Sequence, residues 1–262
     1  VKYMKVANIQ MRPEFLDREA NLDHAARLLE QAREASIVVL PELFNTGYNF
    51  QEKGQVEGLA EDATSGPTSQ MLQEIARDRD QYIAAGYAEL YGGKVYNSQL
   101  FVGPEGFISS YKKVHLFYNE KKFFSSGSKL EVHSIGDINV GLMVCFDWFF
   151  PETMRSLMLM GADLMLHSAN LVLPFCPNAM VTRCVENKVN AITSNRVGEE
   201  FGLRYIGMSQ ITAHDGTIVH RSPESEEEVW VADIDPMSGR DKSMNPLNNI
   251  IEDRRPDVYK LD

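Results

Sequence analysis

The stretch Ser36 to Leu40 reads as a continuous β-branched run stopped by Pro41. A run of that kind fits a strand covered on both faces, so the chain must supply cover above and below it. The surrounding sequence does so by alternating strand-like and helix-like segments. Met4 to Met11 is a short apolar strand, and Asp17 is placed to cap a helix whose Leu22, Ala25, Leu29 and Ala32 keep helical spacing. A second helix is expected to begin near Pro67 and run through Met71, Leu72 and Ile75. Between them, Glu42 to Ser65 reads as a loop.

Strand-like segments then follow in series: Tyr82 to Leu90, Val95 to Val102 and Phe107 to Lys112, separated by Gly92-Gly93 and Gly103-Pro104. Short turns between consecutive strands make them antiparallel. Leu130 to Ile135 and Ile138 to Val144 are two more strands. Pro151 to Met160 reads as a helix ending at Gly161, Leu164 to Ser168 as a strand, and Asn178 to Val189 as a helix. Strands around Ile192, Ile211 and Val229 to Ile234 complete the series. The pattern is a mixed-sheet α/β sandwich covered by helices, in a single domain spanning 1–262. Pro236 to Asp262 is polar and aperiodic, a segment expected to lie on the surface or on another subunit.

Composition narrows the function. At 44% hydrophobic and 24% charged residues, a chain of 262 residues has an ordinary globular balance and enough apolar mass for a core. A net charge of −11 argues against nucleic acid and anionic membranes as partners. Cys145, Cys176 and Cys184 form no CxxC pair and read as free thiols of a reducing compartment. With no signal-peptide pattern at Val1 to Gln10 and no apolar stretch of membrane-spanning length, a cytoplasmic location is expected. The six histidines show no metal-ligand spacing, and neither metal nor cofactor is expected.

Chemistry concentrates in three places. An apolar strand ends at Cys145, in Val144-Cys145-Phe146-Asp147-Trp148-Phe149-Phe150-Pro151-Glu152, and a helix starts soon after. A sharp strand-to-helix turn of that kind exposes a nucleophile beside free backbone N–H groups. Glu42 stands just past the end of the Ser36–Leu40 run, at the end of a sheet where α/β sites open, and partial burial there would suit a general base. Lys113, in Tyr111-Lys112-Lys113-Val114-His115-Leu116, is a fixed positive charge available to an oxyanion. Each has a plainer reading as well: a core cysteine, a loop glutamate and an edge lysine. His115 offers a Cys–His dyad as an alternative.

Taken together and in this order, about 70 and 32 residues apart, the three stretches resemble the nitrilase superfamily of carbon–nitrogen hydrolases over nearly the whole chain. The short archaeal and bacterial nitrilases and aliphatic amidases are the most similar members. Ser168-Ala169-Asn170, Arg183 to Asn187 and Asn195-Arg196-Val197-Gly198 add to the likeness, whereas Ser125-Ser126-Gly127 departs mildly from the family pattern. The resemblance implies a four-layer α-β-β-α sandwich and a Glu42-Lys113-Cys145 triad, with Glu120 as a second glutamate that orients Lys113 or the substrate. It also implies a homodimer or higher oligomer with 236–262 at the interface.

The activity so implied is hydrolysis of small amides or N-carbamoyl amines through a cysteine thioester, with the Phe146 backbone N–H joining Lys113 at the oxyanion. Small nitriles are the alternative substrates, and a catalytically silent binding subunit is the remaining one. Apolar neighbours such as Phe44 or Phe117 would tune Glu42. Phe146, Trp148, Tyr48 and Phe175 are candidates to line the substrate pocket, with Asn170 touching the substrate or bracing a loop. Arg183 and Glu186, one helical turn apart, read as a structural ion pair, and Cys176 and Cys184 as packing residues.

Overall fold

A computed structural model of the chain describes residues 3–260; the first two and last two residues, which belong to the expected 1–262 domain and the 236–262 segment, lie outside the described part. Strand β1 (Met4–Gln10) pairs in parallel with β2 (Ile37–Val39), and β2 in parallel with β3 (Tyr82–Tyr91). The expected doubly covered run is thus the short β2, with Ile37, Val38 and Val39 all fully buried. Antiparallel β4 (Lys94–Gly103) and β5 (Gly106–Lys112) extend this sheet on one side, and Glu228–Ile234 closes the other edge beside β1. Gly92 and Gly93, both at positive φ, make the two-residue turn between β3 and β4, where two left-handed residues match the twist of the strands.

The second sheet runs β6 (Val132–Ile135), β7 (Ile138–Val144), β8 (Leu164–Ser168), β9 (Asn190–Ser194), Gln210–Thr212 and Ile218–Arg221. Its central strands β7, β8 and β9 are parallel.

Side-chain alternation along the strands makes the layers. Val6, Ile37, Val39, Ala84 and Phe101 pack with residues of the second sheet. Their neighbours Ala7, Val38, Ile83, Ala85 and Leu100 face the other way, onto Leu29 of α1 (Arg18–Gln31) and, beyond the short α2 (Lys53–Glu57), Leu72 and Ala76 of α3 (Pro67–Arg79). Each leucine so buried stabilises the fold by roughly 1.5–3 kcal/mol. Past the one-turn α4 (Glu120–Phe123), α5 (Pro151–Leu159) and α6 (Cys176–Asn187) cover the second sheet with Met154, Leu157, Met180 and Cys184. Helix, sheet, sheet and helix therefore stack in four layers, as expected. Asp17 caps α1, its carboxylate accepting from the Ala20 N–H at 3.1 Å.

Differences from the expectation are local. The loop Glu42–Ser65 contains α2, and the edge strand Ile218–Arg221, short and largely exposed, carries no periodic signal in the sequence. The segment from Pro236 begins on the chain's own surface: Arg240 Nε donates to Asp163 at 2.8 Å, and Lys242 Nζ reaches the carbonyls of Asn187 and Lys188, where a cation completes the C-terminal end of α6. A small hairpin, Ser243–Asn245 with Asn248–Asn249, interrupts its irregularity. Among the described residues no helix is long and apolar enough to cross a membrane.

The parallel strands β2, β7, β8 and β9, together with β5, end at one rim of the sandwich, and buried hydroxyls tie the two sheets together there. Ser168 Oγ donates to the Leu40 carbonyl at 2.7 Å and Ser194 Oγ to the Val39 carbonyl at 2.6 Å. Above them, Pro41-Glu42 turns across β3 at Gly86, whose N–H donates to the Pro41 carbonyl at 3.0 Å. A Cβ on Gly86 would stand 2.3 Å from Glu42 Cα, which is backbone and has nowhere to retreat. Gly86→Ala is therefore expected to lower stability by about 1–3 kcal/mol, as overpacking does, and to lower turnover through displacement of Glu42. Thermal melts alongside kcat measure both; an unchanged kcat would show that the Glu42 loop is not held at this contact.

Candidate active site

Cys145 follows the last residue of β7 at φ +39°, a left-handed conformation that a non-glycine residue adopts only where its surroundings enforce it. A 3-10 turn, Cys145–Phe149, intervenes before α5 begins at Pro151. The turn is fastened by Asp147, which is fully buried: its Oδ2 accepts from the Val144 N–H at 3.0 Å and from the Tyr111 hydroxyl at 2.8 Å. The other oxygen accepts from the backbone N–H of His115 at 3.2 Å and meets His115 Nδ1 at 2.7 Å. The His115 ring also stacks on Phe150 at 3.9 Å. His115 is thus engaged in holding the turn. On its other side the thiol lies 3.7 Å from the Asn170 carbonyl.

Glu42 and Lys113 come together across the rim although 71 residues separate them: Nζ stands 2.7 Å from Glu42 Oε1 and 2.8 Å from Glu120 Oε1. Lys113 leaves β5 with its N–H on the Asn97 carbonyl at 2.9 Å, and its own carbonyl accepts from the Gly127 N–H at 2.8 Å. Asn97 Nδ2 donates to Glu42 Oε1 at 2.6 Å. Glu120, in α4, accepts from the Tyr48 hydroxyl at 2.6 Å and through Oε2 from the Phe117 N–H at 3.2 Å. The Tyr48 loop is fixed in turn by Glu200, whose Oε2 accepts from the N–H groups of Tyr48 and Asn49 at 3.0 and 2.8 Å and which pairs with the buried Arg196. Arg196 itself lies over the Tyr205 ring, 4.0 Å from its centroid.

Two carboxylates therefore share one ammonium in a dry setting, and that imbalance governs protonation. Burial pushes Glu42 up, Lys113 pulls it down, and Glu120 raises it again; the result is about 7. Burial by itself would lower Lys113, but Glu120 and Glu42 outweigh it and hold the ammonium charged. Burial, with the Glu42 charge beside it, pushes the Cys145 thiol well above its ordinary value. The resting site holds a neutral thiol, a carboxylate able to take or give a proton near neutrality, and a permanent cation. Glu42 Oε2 and both polar atoms of the Asn170 side chain are buried without a protein partner.

A narrow cleft opens at the thiol, lined by Phe117, Cys145, Phe146, Trp148, Asn170 and Leu171 to Leu173. Phe146, Trp148 and Asn170 therefore line this cleft. Tyr48 does not line it; its hydroxyl donates to Glu120, and with Phe117 and Glu120 it lines another cavity of about 420 Å³. Phe175, 58% exposed at the start of α6, stands outside the cleft wall. Phe44 packs into the core beneath α1 and α3, leaving Phe117 as the aromatic ring nearer the site. Arg183 pairs with Glu186 at 3.2 Å and donates to the Trp148 carbonyl at 3.3 Å, a brace for the turn; Cys176 and Cys184 are fully buried in the core. Among the described residues no group of three or more His, Cys, Asp or Glu side chains is arranged to hold a metal.

Sequence reasoning missed Asn97, Asp147 and the pairing of Arg196 with Glu200. Asn97-Ser98-Gln99 is a polar interruption of an apolar strand, and that break is a readable sign of a buried polar role.

Comparison with known proteins shows which family the chain resembles. A family model described as carbon-nitrogen hydrolase matches residues 5–242. A Pyrococcus abyssi protein named nitrilase is 48% identical over 259 residues, which cover 98% of this chain and 99% of that one. An (R)-stereoselective amidase of a Pseudomonas species is 31% identical, over 85% of this chain and 82% of its own length. Among solved structures, a mutant amidase from Nesterenkonia sp. AN1 in complex with butyramide superposes with a TM-score of 0.75 at 27% identity, covering 91% of this chain and 93% of that one.

Proposed function

The chain belongs to the carbon–nitrogen hydrolase family of the nitrilase superfamily, and from that premise we propose that it hydrolyses small amides through a thioester on Cys145. Glu42 takes the thiol proton as sulfur adds to the amide carbon, so no free thiolate need form in the buried site. The oxygen that gains the negative charge is held by the Lys113 ammonium and the Phe146 N–H. Glu42 then gives its proton to nitrogen, the C–N bond breaks, and ammonia leaves a thioester behind. In the second half Glu42 takes a proton from water, hydroxide adds to the thioester carbon, and the C–S bond breaks. The released sulfur regains its proton from Glu42 and the acid departs. One carboxylate acts in both directions, which a value of about 7 suits. Glu120 holds the ammonium in place by its 2.8 Å contact.

The amide reading rests on Glu42 Oε2, a buried acceptor that lacks a protein partner; the Asn170 side chain, with oxygen and nitrogen both unpartnered, can meet a donor or an acceptor. An amide NH2 group brings two donors to such a site, whereas a nitrile brings none. Leaving a buried polar group unsatisfied costs about 1–3 kcal/mol. The aromatic and leucine walls of the narrow cleft favour a short, apolar acyl group. The bound butyramide of the Nesterenkonia amidase is a ligand of that kind. Nitrile hydrolysis is the second reading, favoured by the 48% identity to a protein named nitrilase.

The test pairs each short amide with the nitrile of the same carbon skeleton and follows ammonia release, with mass spectrometry of the intact protein to detect an acyl group on Cys145. The expected result is faster turnover of the amides, an acyl adduct on wild type, and neither on Cys145→Ala. Turnover of nitriles alone would replace the amide reading by the nitrile one. Turnover unaffected by Cys145→Ala would remove the mechanism altogether.

A further inference from the structure

His167 is fully buried in β8, between apolar Leu166 and the hydroxyl of Ser168, and takes no part in the chemistry above. Both ring nitrogens are engaged: Nε2 lies 3.0 Å from the Cys145 carbonyl oxygen and Nδ1 lies 3.1 Å from Thr193 Oγ1. We infer that His167 is a positioning residue for the oxyanion site, holding the Cys145 carbonyl so that the N–H of the same peptide group faces the cleft. The inference rests on the reading that Cys145 attacks and that the Phe146 N–H meets the resulting oxyanion.

The link is the geometry of one peptide plane. The carbonyl of Cys145 and the N–H of Phe146 belong to a single trans peptide, so they point in opposite directions and rotate as one. A donor that captures the carbonyl from inside the sheet thereby aims the N–H outward. Such a device is needed here because Val144 is the last residue of β7 and Cys145 sits at φ +39°, so the strand no longer dictates the peptide's orientation. Asp147 secures the residue before Cys145 through the Val144 N–H; His167 secures the peptide after it.

The donor can be assigned without seeing hydrogens. A carbonyl oxygen only accepts, so Nε2 must carry the proton. Burial holds the ring neutral, its value lowered to about 4, which leaves Nδ1 as an acceptor for the Thr193 hydroxyl. The Cys145 carbonyl thus selects the tautomer, and the Thr193 hydroxyl, donating to Nδ1, holds the ring in that orientation. Packing alone would be met by leucine at this place, as at Leu164 and Leu166 of β8, without the desolvation of an imidazole.

The experiment compares His167→Leu and His167→Gln in the full chain, the glutamine offering an amide donor in place of Nε2. Three quantities are read: kcat and KM on a short amide, the rate of Cys145 alkylation by iodoacetamide, and the melting temperature. Alkylation needs the thiol and its base but no oxyanion donor, so a defect confined to the peptide's orientation leaves it unchanged. For His167→Leu kcat is expected to fall about 10- to 100-fold, less than or at the lower end of the roughly 10²–10³ loss seen when an oxyanion donor is removed outright, with KM and alkylation near wild type. His167→Gln is expected to recover most of kcat.

A folded His167→Leu protein with wild-type kcat would overturn the inference, as would parallel loss of kcat and alkylation, or a glutamine variant no better than leucine. Should His167→Leu fail to fold, Thr193→Val carries the test: a lower kcat with unchanged alkylation supports the inference, and a wild-type kcat sinks it. Absence of any acyl adduct on the wild-type Cys145 would instead strike the proposed function, a result separable from all of these.

Discussion

Replacing Glu42 by Gln is expected to leave a folded, more stable protein that turns over its amide about 10²–10⁴-fold more slowly, the usual worth of a positioned acid–base group. The glutamine keeps the oxygen that Asn97 Nδ2 and Lys113 Nζ contact at 2.6 and 2.7 Å, so the local hydrogen bonds survive. Only the proton acceptor is gone. The wild-type partner of this result is an acid limb in kcat/KM. In the proposed mechanism Glu42 must be ionised to take the thiol proton, so activity is expected to be lost as pH falls through about 7. Stability moves the opposite way. A carboxyl held at about 7 in the fold and near 4.5 when unfolded binds more protons in the native state between those values, so native stability declines as pH rises from about 4.5 to about 7. Above that window the ionised Glu42 is a standing penalty on the order of 3 kcal/mol, at 1.36 kcal/mol per pKa unit. Glu42→Gln removes it, and its melting temperature at pH 8 should exceed that of wild type while the two converge near pH 4. A pH-independent kcat/KM from 5 to 8, or full activity in the variant, would show that another group moves the proton.

What the sequence disclosed and what it hid divide along a physical line. Periodicity exposes side chains that pack, so β2, the β3–β4–β5 meander and helices α1, α3, α5 and α6 could be read within a few residues of their observed ends. Residues at the ends of apolar runs were also legible: Glu42 after β2, Lys113 after β5 and Cys145 after β7 each break a pattern just where strands meet the rim. Side chains that act on another residue's backbone leave no such mark. Glu200 reaches the Tyr48 N–H across 152 residues, and His167 reaches the Cys145 carbonyl from the interior of an apolar strand. Which pairs meet is decided by strand order, and local sequence carries no record of it. The aromatic candidates show the converse. Phe146 and Phe175 look alike in sequence, yet the 3-10 turn places one at the cleft and the start of α6 leaves the other in solvent.

Lys113→Leu is expected to damage both fold and function, and the manner of the damage separates its two duties. Wild-type Lys113 is fully buried between Glu42 and Glu120, themselves 0% and 3% exposed in their side chains. Leucine fills much of the space but leaves two buried carboxylates with no ammonium, and breaking a buried pair in this way costs about 3–5 kcal/mol. The oxyanion also loses a charged donor, worth about 10²–10³ in turnover. Because the stranded carboxylates favour protonation in the fold, the variant should gain stability as pH falls from 8 to 5, more steeply than wild type. Adding Glu42→Gln removes one of the two stranded charges, so the double variant should melt at a higher temperature than Lys113→Leu alone. It should still be inactive, since neither the base nor the ammonium is present. Thermal melts at several pH values and ammonia release on the same preparations decide the matter. A single variant as stable as wild type at pH 8 would mean that the two carboxylates do not depend on Lys113 for their burial. A Lys113→Leu protein with near-normal turnover would place the oxyanion elsewhere.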